Sequence, residues 1–413
     1  MTLIKTSILT AISTLIRVIT GFVINKLVSV YIGPSGLALI GQFQNFTGIV
    51  TTVSTGGINQ GVVKYAAEYK DEQKTAKLFS SALLITLIAS LITAIIIIVY
   101  SDYFSQRILN TQKYSDVFLV FGFTVILFGL NQLFLSILNG KKEIKKYILA
   151  NIAGSIVALI LTSILVIYVG LLGALYALVL NQSIVFFITL VLVVKSNWFH
   201  IGNFKFGLDK EHIKKLSHFS LMTLVSAVSF PVMQLIVRDY IGKNLGWDAA
   251  GYWQGINYIS TMYLMLITTS LGVYYLPKLS ELTDHKEIKE EIINGYKIIL
   301  PIVMVTAGSI YLLRGFVISI AFTDTFAPMQ ELFLWQLIGD VIKIASWLLS
   351  YLLLAKAMTK VFIYTEIGFK FTFMSFAYLF ISQYGLVGVT YAFALNYLLY
   401  LFTMIFIFRR VFR

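Results

Sequence analysis

The chain has 413 residues, of which 58% are hydrophobic and 12% are charged, and its mean hydropathy is +0.85. A soluble domain carries about twice that charged fraction, so the composition excludes a soluble globular protein and predicts an all-α polytopic membrane protein. The chain contains no cysteine, which excludes disulfides and thiolate chemistry.

The net charge of +13 raises the question of a nucleic-acid partner. Most of the 32 Lys and Arg residues, however, fall in one alternating set of short loops and at the C-terminus. This positive-inside asymmetry sets membrane topology and accounts for the basic excess without nucleic acid. The histidines lack the spacing of a metal site, so we expect neither a metal nor a cofactor. They are His200, His212, His218 and His285.

About twelve apolar stretches are long enough to cross a bilayer, which takes about 20 apolar residues each. The first lacks the short apolar core and small-residue site of a cleavable signal, so we predict that it is a span. In chain order the predicted spans are 7–30, 37–63, 78–100, 117–138, 148–169, 173–194, 215–240, 250–277, 296–321, 332–355, 361–381 and 386–408.

The loops between these spans predict the topology. Basic loops at 64–77, 141–146, 195–215 and 278–297 alternate with short loops poor in Lys and Arg, such as 101–116. Because basic loops stay on the cytoplasmic side, both termini are predicted to be cytoplasmic.

An internal repeat relates the two halves of the chain. The sequence VYIG at 30–33 is followed by GQFQ at 41–44, and DYIG at 239–242 is followed by GYWQ at 251–254. Both copies continue through a long span into a basic loop. The repeated order indicates a duplication.

Six spans in each half give the two halves the same orientation in the membrane. We therefore predict two six-helix lobes, residues 1–205 and 206–413, related by a pseudo-two-fold axis along the membrane normal. The loop 195–215 is the predicted linker.

Basic residues also lie inside the spans or near their ends. A cation at the bilayer centre costs about 2.5–3.5 kcal/mol, so such residues usually face a polar cavity. We predict that they bind an anionic group there, with Arg17, Arg238 and Lys343 contributing most. The full set is Arg17, Arg238, Lys343, Arg314, Lys370 and Lys26.

Two of these cations lie on the first span. Arg17 and Lys26 are nine residues apart, which puts them on opposite faces of a helix. Arg17 is near mid-span and favours a cavity, whereas Lys26 lies near the outer end and either faces the cavity or extends to the headgroups. In the eleventh span Glu366 precedes Lys370 by four residues, so an ion pair and a ligand site are equally open.

Asp340 and Lys343 form the most informative pair of charges. Their spacing of three puts both on one face near the middle of the tenth span. One interpretation is a structural bridge; the other is a cation that binds substrate beside an acid that titrates. Asp340 and Glu366 are therefore candidates for coupling to a proton or sodium gradient.

Amide side chains recur in equivalent spans of the two halves. We predict that Gln44, Asn45, Gln254 and Asn257 face a sugar, with Asn59 nearby. The alternative is that they hold helices together, which contributes roughly 0.6 kcal/mol for each contact.

Several runs of residues resemble the Wzx flippases of polysaccharide units, within the multidrug/oligosaccharidyl-lipid/polysaccharide exporter superfamily. The chain is most similar to the branch that moves lipid III in enterobacterial common antigen synthesis, and the resemblance covers essentially the whole chain. The most specific run is WQLIGDVIK at 335–343. The other runs are 33–37, 63–65, 219–224, 253–255, 275–280 and 355–357.

The resemblance implies two six-helix lobes around a central cavity in the bacterial inner membrane. It implies a substrate of undecaprenyl pyrophosphate carrying an oligosaccharide, moved from the cytoplasmic to the periplasmic leaflet. It also implies association with a polysaccharide polymerase and a chain-length regulator.

Other classes fit the sequence less well. A multidrug and toxin exporter of cations shares the layout, but it calls for an acid-lined cavity, and here bases outnumber acids within the spans. A membrane-bound polymerase or ligase needs a large periplasmic loop with catalytic groups, and the predicted loops are short. We therefore expect a transporter rather than an enzyme.

Overall fold

The computed structural model describes residues 3–200, 202, 209–356 and 358–409, and every regular element in these residues is a helix. This confirms the predicted all-α fold. The helices are α1 (Leu3–Tyr31), α2 (Gly33–Ser54), α3 (Asn59–Glu68), α4 (Glu72–Val99), α5 (Ser101–Leu109), α6 (Ser115–Gly140), α7 (Ile144–Val169), α8 (Leu171–Val194), α9 (Lys210–Leu245), α10 (Trp247–Ser270), α11 (Leu276–Glu281), α12 (His285–Leu312), α13 (Arg314–Ala321), α14 (Phe333–Ala355), α15 (Thr359–Tyr384) and α16 (Val387–Ile407).

Each predicted span coincides with one helix or with two consecutive helices. The predicted span 37–63 is broken between α2 and α3, where Gly56 and Gly57 adopt positive φ angles of 64° and 66°. The span 250–277 continues from α10 through a π-helical turn at 271–275 into α11. The predicted loop 101–116 contains the short helix α5, which buries Ile108 and Leu109.

Among the described residues, nine helical segments have the length and hydropathy of a membrane span. The predicted spans that fall short are α2, α10 and α15, which are richer in amide, hydroxyl, glycine and charged residues. In a bilayer such helices are stable where their polar sides face protein or water.

The chain divides into two compact units, residues 1–32 with 39–232 and residues 33–38 with 233–413. The predicted lobe boundary at 205/206 lies outside the described residues. In the first unit an apolar core includes Phe79, Leu133 and Ile137. In the second unit a separate core surrounds Leu348 and Leu352.

Two matching turns extend the internal repeat. Gly170 and Gly385 precede α8 and α16, and both have a φ of +63°, a left-handed conformation that favours glycine. Three residues later, a Cβ on Gly173 would lie 2.0 Å from the carbonyl oxygen of Leu165, and a Cβ on Gly388 would lie 2.1 Å from that of Phe380. The close approach of α7 to α8, and of α15 to α16, therefore depends on glycine.

We expect Gly173→Ala and Gly388→Ala each to lower the free energy of unfolding by about 1–3 kcal/mol, because the added methyl forces the helices apart. Thermal unfolding of the purified protein in detergent measures this change. Gly308→Ala is the matched control: its added methyl meets no atom within 4 Å, so it should be neutral or slightly stabilising. Equal midpoints for all three variants would contradict the packing argument.

The start of α9 is fixed by Asp209. Its Oδ1 accepts hydrogen bonds from the backbone N–H groups of Glu211 (3.1 Å) and His212 (3.3 Å), and lies 2.9 Å from His212 Nδ1. Lys77 Nζ lies 3.4 Å from the other carboxylate oxygen. The His212 side chain is the main cause that lowers the pKa of Asp209 to about 2.

The stabilisation from the ionised Asp209 should be fully present above its unfolded pKa of about 3.9, and lost as the pH falls toward the folded pKa. Asp209→Asn keeps a good helix cap but removes the charge. We expect the unfolding midpoints of the wild type and this variant to converge as the pH is lowered from 5 to 3. A difference in unfolding midpoint that stays constant over that range would exclude the carboxylate charge as the cause of the stabilisation.

Candidate functional site

A polar cavity of about 650 Å³ lies within the first unit, lined by α1, α3, α6, α7 and α8. The lining contains hydroxyl groups, amides and one arginine. Its polar members are Thr10, Ser13, Thr14, Arg17, Thr20, Asn59, Gln60, Gln132, Ser136, Asn139, Tyr147, Asn151, Ser155, Asn181 and Gln182.

α1 supplies the charged side of this cavity. Its lining residues recur every three or four positions from Thr10 to Ile24, which is one face of a helix and spans about 21 Å along the axis. Arg17 lies at the middle of α1 and is exposed to the cavity. Lys26 is half-buried and is not among the lining residues, consistent with its predicted position on the opposite face.

Amide side chains from α3, α6, α7 and α8 form most of the remaining wall. Two of them have protein partners: Asn151 Nδ2 donates to the Tyr147 carbonyl oxygen (2.8 Å), and Gln182 Oε1 accepts from Asn131 Nδ2 (2.8 Å). The other five make no side-chain hydrogen bond to any described residue. These five are Asn59, Gln60, Gln132, Asn139 and Asn181.

The amides predicted from the repeat lie elsewhere. Gln44 is exposed and Asn45 is half-buried on α2, and neither lines this cavity. Gln254 and Asn257 lie on α10 in the second unit. The sequence interpretation therefore missed the amides of α6, α7 and α8. Their signal was present as the Asn–Gln pairs at 131–132 and 181–182 and as Asn151, inside three otherwise apolar predicted spans.

Arg238 is the most deeply buried of the predicted cations, with 2% of its surface exposed. Its guanidinium donates to Gln254 Oε1 and, at 3.4 Å, to Gln234 Oε1. The guanidinium carbon lies 5.5 Å from the centre of the Trp253 ring. These contacts join α9 to α10 within the second unit.

Asp340 and Lys343 share α14 but do not form the bridge that their spacing allowed; no ion pair within 4.0 Å joins these two described residues. Asp340 is fully buried and accepts a hydrogen bond from the Tyr263 hydroxyl (3.0 Å). The Lys343 ammonium instead lies over the rings of Trp347 (4.8 Å) and Tyr397 (5.9 Å). Tyr263 lies on α10 and Tyr397 on α16, whereas Trp347 lies on α14 itself, four residues after Lys343. Partners on other helices and on α14 thus compete with the ion pair.

The remaining predicted ionisable residues also have protein partners. Lys370 Nζ lies 3.3 Å from Glu366 Oε1, which is the structural pair that the spacing allowed. Arg314 donates to the Tyr311 carbonyl oxygen (2.9 Å) and lies over its ring. Arg314 also follows the end of the apolar segment His285–Leu312. The described residues contain no group of three or more His, Cys, Asp or Glu arranged to hold a metal.

If Gln254 is structural, Gln254→Leu should lower the free energy of unfolding by about 1.5–3 kcal/mol, because it removes an acceptor from a buried guanidinium. Asn257→Leu, on the same helix, should cost less, since the Asn257 amide donates only to the Trp253 carbonyl of its own helix. Thermal unfolding of both variants measures the difference. A stable Gln254→Leu variant with weakened sugar binding would favour the sugar-facing role instead.

Residues 3–283 match the polysaccharide biosynthesis protein family. The chain is 30% identical over 401 residues to the lipid III flippase of Escherichia coli strain K12, covering 97% of this chain and 96% of that relative. These matches confirm the resemblance found in the sequence.

Two solved structures show the same fold. An inward-facing multidrug resistance transporter of the MATE family in the MOP superfamily has a TM-score of 0.80 at 15% identity, covering 96% of this chain and 94% of that chain. The inward closed conformation of the lipid II flippase MurJ has a TM-score of 0.72 at 17% identity, covering 98% and 87%. At these identities the likeness concerns the fold alone.

Proposed function

Because this chain belongs to the polysaccharide biosynthesis protein family, we propose that it moves an undecaprenyl-pyrophosphate-linked oligosaccharide, a lipid III or O-antigen unit, across the bacterial inner membrane. The full-length similarity to a lipid III flippase supports this substrate class. That relative is a flippase rather than an enzyme, so the chain is assigned to transporters.

The observation that carries the proposal is the polar cavity of the first unit, which one arginine lines. Sugars and pyrophosphate cannot enter hydrocarbon without losing hydrogen bonds to water, at a cost of roughly 2–7 kcal/mol for each uncompensated polar group. A wall of hydroxyl and amide groups with one guanidinium can replace those hydrogen bonds while the polyprenyl tail stays in lipid.

Arg17 is the primary candidate for the pyrophosphate. A guanidinium presents a planar set of N–H donors that matches phosphate oxygens in a bidentate manner. It lines the cavity near the middle of α1, where the charge is costly without a polar partner. The other predicted cations are secondary candidates for the pyrophosphate, because each already contacts another group of the protein. They are Arg238, Lys343, Arg314, Lys370 and Lys26.

The direction of transport is proposed from the position of the cavity relative to the basic loops. Asn139 and Tyr147 line the cavity and flank the basic turn that follows α6, a turn predicted to be cytoplasmic. A headgroup made in the cytoplasm would therefore load at this end, and alternating access would release it in the periplasm. Asp340 and Glu366 remain the proposed residues for coupling to a proton or sodium gradient.

An exporter of cationic drugs is the alternative for this fold. The cavity argues against it, because the described lining residues include Arg17 and neither aspartate nor glutamate. A cationic ligand there would meet like charge without a compensating acid.

We expect Arg17→Glu to reduce uptake of a short-chain polyprenyl-pyrophosphoryl-N-acetylglucosamine into proteoliposomes by at least about tenfold, since it replaces a charge-assisted contact with repulsion. Size-exclusion chromatography should show a folded protein. Lys113→Glu, at an exposed position in a short helical turn before α6, is the control and should transport normally. Wild-type uptake by Arg17→Glu would rule out the cavity as the pyrophosphate site.

A further inference from the structure

The unpartnered amides of the first unit differ from those that join helices. In a bilayer, an amide that serves as a contact between helices finds a partner on another helix. Asn131 and Gln182 do this, linking α6 to α8 through one hydrogen bond. The five amides without a side-chain partner among the described residues do not, although all five line the cavity.

Two of these amides carry an acceptor that is already removed from solvent. The side-chain oxygens of Asn59 and Asn181 are buried and accept no hydrogen bond from any described residue. A buried acceptor without a donor costs about 1–3 kcal/mol. Neither oxygen is reached by solvent, so each would accept a hydrogen bond from a ligand only after its side chain rotates toward the cavity.

The five amides approach the cavity from three helices. Asn59 and Gln60 begin α3, Gln132 and Asn139 lie on α6, and Asn181 lies on α8. The two residues on α6 are seven positions apart, so this part of the wall extends about 10 Å along the helix axis, more than one sugar ring. The cavity volume is within the range of about 300–1,000 Å³ that is usual for ligand pockets.

Charge further limits the class of ligand. Arg17 is the one charged residue among the described residues that line the cavity. Each amide offers both a donor and an acceptor, which complements hydroxyl and acetamido groups. A sugar recognised through carboxylates would call for more cations on this wall.

We propose that these five amides bind the sugar part of the substrate through its hydroxyl and acetamido groups, while Arg17 binds the phosphate part. This inference rests on the function proposed above and assigns the sugar site to the first unit alone. It differs from the sequence prediction, which placed sugar contacts at Gln44, Asn45, Gln254 and Asn257.

The test compares two soluble probes by calorimetry with the purified full-length protein. Farnesyl pyrophosphate carries no sugar, and farnesyl-pyrophosphoryl-N-acetylglucosamine carries one. For the wild type we expect tighter binding of the glycosylated probe. The double variant Gln132→Met, Asn181→Leu should lose about tenfold in affinity for the glycosylated probe and keep its affinity for farnesyl pyrophosphate.

Control variants separate the sugar contacts from the phosphate contact and from misfolding. Arg17→Met should lower the affinity for both probes. Gln383→Met, which replaces an exposed amide on α15, should change neither affinity. Each single amide variant is measured too, with a loss of about threefold expected, so that the result does not depend on the stability of the double variant.

The outcomes distinguish this inference from the proposed function. If the amide variants keep the full gain in affinity that the sugar gives, or bind both probes equally more weakly, the proposed sugar site is wrong while the flippase assignment stands. If the wild type binds neither probe, the proposed function fails and the inference fails with it.

Discussion

The structure depends on one constraint, that polar groups inside a bilayer must be hydrogen-bonded or hydrated. The polar residues within the helices divide accordingly. Asn131 pairs with Gln182, and Lys370 pairs with Glu366. Other polar residues have no such partner and line the cavity with Arg17. Hydrophobic burial explains why the helices form, but both groups of polar residues lie in such helices. The two groups differ in whether the side chain has a partner within the protein.

The two compact units use this constraint differently. In the second unit, predicted functional charges contact protein groups: Arg238 contacts Gln254, and Asp340 contacts Tyr263. Such contacts hold α9 to α10 and α10 to α14 within that unit. In the first unit, Arg17 of α1 and five amides of α3, α6 and α8 line the cavity without a side-chain partner among the described residues. The described residues thus show a polar cavity in the first unit and internal polar contacts between helices in the second.

The sequence was sufficient for the helices, because hydropathy and segment length reflect the thickness of the bilayer directly. The sequence also pointed to a cavity position for Arg17, since a mid-span arginine has few alternatives, and Arg17 does line a cavity; its binding role stays a prediction. It was insufficient for Asp340 and Lys343. Spacing shows that two residues share a helix face, but whether they meet depends on groups such as Tyr263 of α10 and Tyr397 of α16 that pack against that face.

The amides show a second limit of prediction from sequence. The repeat between the two halves of the chain pointed to Gln44 and Gln254, but a duplicated residue reflects common ancestry as well as shared function. Gln132 and Asn181 lie outside that repeat, each in an adjacent Asn–Gln pair (131–132 and 181–182) within a very apolar helix. From the sequence, an amide within a span is equally compatible with a contact between helices and with ligand binding. The packed structure shows whether the amide has a partner.

The chemistry of this wall suits a carrier better than a storage site. Transport requires binding that is favourable enough to load the substrate and weak enough to release it. A neutral hydrogen bond contributes about 0.5–1.5 kcal/mol and exchanges readily with water, whereas a buried ion pair broken on release leaves a charge that costs about 3–5 kcal/mol. Under the proposed function, several amides with one guanidinium would distinguish a sugar by the number and geometry of its hydroxyls without holding it too tightly. A cavity lined by many cations would gain affinity for a pyrophosphate and release it more slowly, so a single arginine on an uncharged wall would favour turnover.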